Sequence, residues 1–470
     1  MQNPPNILLI TADDMNWDAV GAFGCPTPET TPNIDRLASE GIRFENGHVT
    51  IAVCQPSRSA IMTGRYPHQS GGEGFHKLRF SDIPLLPERL RESGYTVGIL
   101  GKVGHSTPYG AFNWNMMFDM PELGQGRNPE IYYTCARSFM ETARETGRPF
   151  FLMANSHDPH RPFYGNDREE WYEEGGQNPP ASVPSRTFTP EEVTVPGFLP
   201  DLPEVRLEIS EYYNSVRRCD DTVGRILDAL HETGQEDNTL ILFLSDNGMA
   251  FPFAKTNCYL NSTRTPWIMR WPGRIKAGRV DFEHFVSGID ILPTFLDAAC
   301  IEVHEGVAGR SFLPVLEGNK QGGREYVFTT FNQTAARNNY PMRCVQSKKY
   351  GYIYNPWSDG ERQFKNESQN GRTFADMERA ADSDPDVAAR VNMFLYRTRE
   401  EFYDFENDPN ALENLIDNPD YWDEIEKHRR LMREWMEETD DPALEAFRDL
   451  SSEENRKTFM EHYIETLGGK

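Results

Sequence analysis

No stretch of this chain approaches the roughly 18 consecutive apolar residues that a membrane-spanning helix needs, so its 470 residues do not read as a helical membrane protein. Basic charge is scarce as well: 48 Lys and Arg stand against 73 Asp and Glu, a formal net charge of −25. That balance works against binding nucleic acid or an anionic membrane surface, yet leaves room for a local basic pocket. Arg58, Arg65, Lys77, Arg79 and Lys102 are candidates for one. Cysteine is limited to 7 scattered residues with no C-x-x-C pair, which excludes a disulfide framework and a cysteine zinc site. The opening residues, Met1 to Pro5, hold neither the basic nor the apolar part of a secretion signal. The expected location is cytoplasmic as the sequence stands, and periplasmic or secreted if a signal peptide has been removed. No internal repeat is found.

What is present is the alternation of an α/β protein. Ile7–Ile10 is a short, continuous apolar run of the kind that forms a parallel strand buried on both faces. Pro32 to Glu40 reads as a helix, with Thr31 as cap, Pro32 at its first position and Gly41 as terminator. Tyr95–Leu100, Pro149–Asn155 and Thr239–Leu244 read as further strands, with a long helix over about Glu204–Thr233 between the last two. Such repetition predicts a large, mostly parallel sheet flanked by helices. After Asn339 the pattern changes. Met342–Gln346, Tyr350–Tyr354 and Glu401–Phe405 read as strands without intervening helices, and a helix follows over Pro419–Glu437. The expectation is a catalytic domain over residues 1–339 and a smaller C-terminal α+β subdomain with an antiparallel sheet over 340–470. Gly165–Pro203, rich in Pro, Gly and acid, reads as a long surface loop.

In open α/β sheets function gathers at the carboxyl ends of the strands. Three of the strongest runs end in polar clusters: Asp13-Asp14, His157-Asp158-Pro159-His160 and Asp246-Asn247-Gly248. Adjacent carboxylates such as Asp13 and Asp14 call for a cation or a capping role. Together with Asp246 and Asn247 they form an all-oxygen set suited to Ca²⁺ or Mg²⁺. Gly71-Gly72-Glu73-Gly74 lacks the strand–helix setting of a nucleotide loop and reads as a rim loop.

The most informative run is Cys54-Gln55-Pro56-Ser57-Arg58, completed by Thr63-Gly64-Arg65. Pro56 suits the first turn of a helix, which places Cys54 at a helix N-terminus, where free N–H groups favour a developing anion. A lone buried cysteine packs as a small hydrophobe, but the companion residues all stand in register here. The run resembles the maturation signature of type I sulfatases. Its order with Gly101-Lys102, His157-Asp158-Pro159-His160-Arg161, Asp246-Asn247-Gly248 and a later lysine resembles the formylglycine sulfatases of the alkaline phosphatase superfamily. Val195–Pro200, Tyr340-Pro341-Met342-Arg343 and Phe402-Tyr403-Asp404 extend the likeness to the N-sulfoglucosamine sulfohydrolase branch.

The resemblance implies an alkaline-phosphatase-like fold and hydrolysis of a sulfate ester or sulfamate. It implies that a formylglycine-generating enzyme converts Cys54 to Cα-formylglycine, and that Asp13, Asp14, Asp246, Asn247 and residue 54 bind a divalent cation, calcium in first place and magnesium as the alternative. Arg58 would hold the formylglycine hydrate. Lys102 and Lys255 would contact sulfate, and His105 and His157 would transfer protons. His76, His160, Arg161 and Arg343 are the candidates for the saccharide. Two positions depart from the branch: the histidine follows Lys102 by three residues, and Lys255 stands where the branch has arginine. O-sulfated glycans, aryl sulfates and phosphonate or phosphodiester substrates are therefore the alternatives to N-sulfoglucosamine.

Overall fold

A computed structural model of the chain describes residues 4–80, 82–110, 112–166 and 180–469. Within them, the first seven strands are β1 (Asn6–Ala12), β2 (Ile42–Phe44), β3 (Gly47–His48), β4 (Thr96–Leu100), β5 (Met116–Phe118), β6 (Phe150–Asn155) and β7 (Thr239–Ser245). They are followed by β8 (Trp267–Arg270), β9 (Arg279–Asp281), β10 (Val286–Ser287), β11 (Val327–Gln333), β12 (Asn339–Gln346), β13 (Tyr350–Tyr354) and β14 (Glu400–Asp404). Eight of them make one sheet in the order β5-β4-β6-β1-β7-β8-β2-β9. All its pairings are parallel except those of β8, which runs against both β7 and β2.

The apolar runs explain why β1, β6 and β7 occupy the middle. Every residue of these three strands is buried. Along β1, Leu8, Ile10 and Ala12 enter the core on one face of the sheet, while Ile7 and Leu9 enter the core on the other. This is the two-residue period of a strand covered on both sides. The long helix Pro203–Glu232 covers the first face with Val205, Ile209, Tyr212, Val216 and Ile226. The second face is covered by Ile61 and Met62 of the helix Cys54–Thr63 and by the helix Ile291–Ala298. The fold is thus the α/β class read from the sequence.

A separate antiparallel sheet has the order β11-β12-β13-β14. It takes its first strand, β11, from ahead of the change in pattern at residue 339. Between β13 and β14 the structure corrects the sequence reading, because the helices Arg372–Ala381 and Pro385–Tyr396 intervene. Phe374, Met377, Val387 and Phe394 seat them on the core. The helix read at Pro419–Glu437 is found at Trp422–Glu438, behind a short 3₁₀ turn, and a further helix, Glu453–Leu467, follows it. Of the loop read at Gly165–Pro203, residues 167–179 lie outside the described residues, as do Met1–Asn3. Its part from 180 to 202 forms neither helix nor strand and tucks Phe188, Val193, Phe198 and Leu199 into the core. Among the described residues no helix is long and apolar enough to cross a membrane.

Candidate active site

Four neighbouring strands deliver their carboxyl ends to one place. Asp13 and Asp14 follow β1, Lys102 follows β4 after Gly101, His157 and His160 follow β6, and Asp246 and Asn247 follow β7. Two of these turns are sharp. Asp14 and Lys102 have φ of 71° and 51°, in the left-handed region that side chains other than glycine's enter at a cost. Gly101, at φ 70°, has no room for a side chain: a Cβ there would lie 2.3 Å from the Asn155 carbonyl oxygen. The backbone is bent so that the Asp14 and Lys102 side chains turn inward.

Cys54 is the first residue of the helix Cys54–Thr63, as Pro56 in the first turn had suggested. Its Sγ lies 3.3 Å from Asp13 Oδ1 and 3.9 Å from Asp14 Oδ1. Ligand atoms of Asp13, Asp14, Cys54 and Asp246 all lie within 4.8 Å of one another, and all four residues are buried. Cations neutralise this crowd from three sides. Arg58, fully buried, donates from Nε to Asp246 Oδ2 at 2.9 Å and from Nη1 to Thr11 Oγ1 and Asn155 Oδ1. Lys102 pairs with Asp13. Lys255 lies 2.8 Å from Asp14 and also contacts Glu367.

The carboxylates respond unequally. Burial raises Asp14 and Asp246 to about 7, with Lys255 and Arg58 opposing the rise and neighbouring carboxylates adding to it. Burial also acts to raise Asp13, but Lys102, followed by His160 and Arg58, outweighs it and holds that carboxyl well below the usual range. Asn247 donates from Nδ2 to Asp14 Oδ1 at 2.7 Å, and its Oδ1 is buried without a hydrogen-bond donor. A buried acceptor in want of a donor, in an all-oxygen set with three carboxylates, fits a hard divalent cation.

Above Cys54 opens a pocket of about 460 Å³. His105 and His160 line it with Lys255, and Phe75 closes one wall with its ring against His105. His160 Nε2 stands 4.0 Å from Asp14 Oδ2. His157 is 9% exposed, and its Nε2 accepts a hydrogen bond from the Lys102 backbone N–H at 3.3 Å. A lone pair on Nε2 puts the ring proton of neutral His157 on Nδ1. Burial, and then Lys102, hold His157 well below the usual histidine range and His105 at about 3.

Three residues read as saccharide contacts are engaged elsewhere. Arg343, on β12, is fully enclosed, with Nε 2.6 Å from Asp441 and Nη1 2.9 Å from Asn332. That corrects its placement at the substrate, since a fully enclosed guanidinium outside the pocket lining has no access to a ligand. Arg161 pairs with Glu208, donates to the Ala250 carbonyl and stacks over Phe163, bracing the β6 end against the long helix. His76 turns its Nδ1 to the Lys77 carbonyl, and Phe75, one residue earlier, is the one that lines the pocket. The sequence reading missed the far wall altogether. Thr334, Asn338, Lys365, Glu367 and Asn370 come to it from the β11–β12 turn and the segment after β13. No local pattern marks them, because they reach the pocket only through the packing of the second sheet.

Residues 5–301 match the family described as Sulfatase, and residues 250–362 match that described as N-sulphoglucosamine sulphohydrolase, C-terminal. Human N-sulphoglucosamine sulphohydrolase is 31% identical to this chain over 468 residues, spanning 93% of the chain and 91% of the relative. An ulvan-active sulfatase of Formosa agariphila is 29% identical, spanning 92% and 80%. A protein solved in complex with its substrate D-glucosamine-2-N,6-O-disulfate superposes with a TM-score of 0.69 at 21% identity, over 93% of this chain and 99% of that one. At that identity the last likeness speaks to the fold.

Proposed function

The chain belongs to the sulfatase family, and from that premise we propose that it removes sulfate from a saccharide, with N-sulfoglucosamine of the heparan type as the substrate. The observation that carries the reading is the meeting of Cys54 Sγ with three buried carboxylates within 4.8 Å, under a 460 Å³ pocket lined by two histidines and a lysine. The 31% identity to the human sulfamidase, sustained over 93% of the chain, supports the choice of sugar.

In this reading residue 54 is matured by a formylglycine-generating enzyme, and the hydrated aldehyde supplies one hydroxyl to attack sulfur and a second to release sulfate. Asp13, Asp14, Asp246 and Asn247 would hold calcium, or magnesium in its stead, which supplies positive charge beside the sulfuryl oxygens. Arg58 fixes Asp246, and through Thr11 and Asn155 it ties three strand ends together. Lys102 and Lys255 bring fixed cations to the sulfate oxygens in a buried setting, where they act with little reorganisation. His157, whose ring is oriented by the Lys102 amide, is assigned proton transfer at the leaving nitrogen, for which it must first be charged as imidazolium. His105 takes a proton from residue 54, and His160 faces the sulfate from the side of Asp14.

The test is sulfate release from a defined panel of N-sulfo, 2-O-, 3-O- and 6-O-sulfo glycosaminoglycan units and ulvan fragments, using protein made together with the generating enzyme. Release from N-sulfoglucosamine is the expected result. Release from O-sulfated units alone would overturn the choice of sugar and leave the family standing.

A further inference from the structure

Two charged groups of the pocket, Lys365 and Glu367, have no part in the chemistry above, and Glu367 is the anionic one. Glu367 opens the short 3₁₀ turn Glu367–Asn370, between β13 and the helix Arg372–Ala381. Its side chain is 35% exposed, and it lines the same pocket as Cys54, His105 and His160. Its Oε1 is buried against the Lys255 ammonium, and its carboxylate falls within one 4.8 Å cluster with Asp14 and His160. No described residue donates a hydrogen bond to Oε2. The turn is anchored firmly: Asn366 Nδ2 donates to Thr256 Oγ1 at 2.6 Å, and Asn366 Oδ1 caps the turn by accepting from the Ser368 N–H.

A carboxylate is an unwelcome neighbour for a sulfate ion. The Lys255 ammonium, set against Oε1, pairs Glu367 as a carboxylate on the pocket wall. Lys255 already has Asp14 as a partner at 2.8 Å and does not need a second anion for its burial. What a fixed carboxylate one lysine away from the nucleophile can do is read the substituent beside the scissile sulfate. A free hydroxyl there donates a hydrogen bond to it. A second sulfate or a carboxylate there meets it as a like charge, and like charges brought together in a partly desolvated site are strongly disfavoured.

Resting on the saccharide reading above, we propose that Glu367 is a specificity-determining residue that selects sugars with a free hydroxyl next to the sulfate being removed and rejects those with a second anionic group there.

The experiment compares wild type, Glu367→Gln and Glu367→Asp on two sugars, glucosamine carrying only the N-sulfate and glucosamine carrying N- and 3-O-sulfates. The ratio of kcat/KM for the two is read, and the ratio of Kd is read by calorimetry on the unmodified Cys54 protein. Wild type should prefer the monosulfated sugar, Glu367→Gln should shrink that preference about tenfold or more, and Glu367→Asp should keep most of it. A residue that merely supports Lys255 would lower both sugars alike and leave the ratio in place, which overturns the proposal. Should wild type neither bind nor turn over either sugar, the N-sulfoglucosamine reading fails and takes this proposal with it. Activity on the monosulfated sugar with an unmoved ratio defeats the Glu367 role alone.

Discussion

At Arg343 a charged residue in a strand, one that a sequence reading offers to an anionic substrate, is enclosed inside the protein with Asp441. Removing one partner of a buried pair leaves the other charge uncompensated, at a cost of about 3–5 kcal/mol. Arg343→Ala should therefore lose stability of that order in urea, while the folded fraction keeps its KM for the sulfated sugar. A raised KM with unchanged stability would return Arg343 to the substrate. The pair also has a pH signature. Burial pushes Asp441 up, but Arg343, followed by His68, outweighs it and holds the carboxyl below its usual value. Such a group stabilises the fold above the unfolded carboxyl pKa, and the contribution is lost as pH falls through the folded one. The stability advantage of wild type over Asp441→Asn, measured by urea titration, should be full near neutrality and shrink as pH drops below about 4.

Asp13, Asp14, Asp246 and Asn247 were legible from their place after buried strands together with the Cys54 run, and the fold brings them to one spot. Glu367, a single acid in a charged stretch, has neither mark.

At the level of elements, the site depends on how strands end. β4 gives way to Gly101 and then Lys102, both with positive φ, and the turn is packed under the Asn155 carbonyl and the Tyr132 hydroxyl. Gly101→Ala would drive a methyl to within 2.3 Å of that carbonyl oxygen. A loss of about 2 kcal/mol or more is expected from strain and overlap, with a fall in kcat as Lys102 is displaced. Unaltered melting and kcat would mean that the turn does not position Lys102. The same scale shows why two helices after β13 escaped the sequence reading. Their start signals were present: Asp384 accepts from the Asp386 and Val387 N–H groups, and Pro385 takes the first position. Phe374, Met377, Val387 and Phe394 are buried in the core that the second sheet shares.

Over the whole molecule, the two sheets share one continuous core. Leu8 and Ile10 of β1 belong to the same buried cluster as Tyr352 of β13, Phe402 of β14 and Trp435 of the helix Trp422–Glu438. The second sheet also supplies one wall of the pocket. Calorimetry should accordingly show one unfolding transition, and two well-separated transitions would contradict a shared core. The acid cluster adds a second expectation. A cation that binds only the folded state stabilises it by roughly 2.7 kcal/mol at a hundred times its Kd. Calcium should raise the melting temperature of wild type, and Asp246→Asn should abolish the rise, whereas an equal rise in both would place the ion elsewhere.

The claim on which the account rests is that residue 54 works in a modified form. The direct measurement is mass spectrometry of the peptide carrying residue 54, made on preparations with graded co-expression of the generating enzyme and set against their specific activity. Activity should rise in proportion to the formylglycine fraction and vanish where the peptide is all cysteine. Full turnover by protein whose Cys54 is an unmodified thiol would contradict the account.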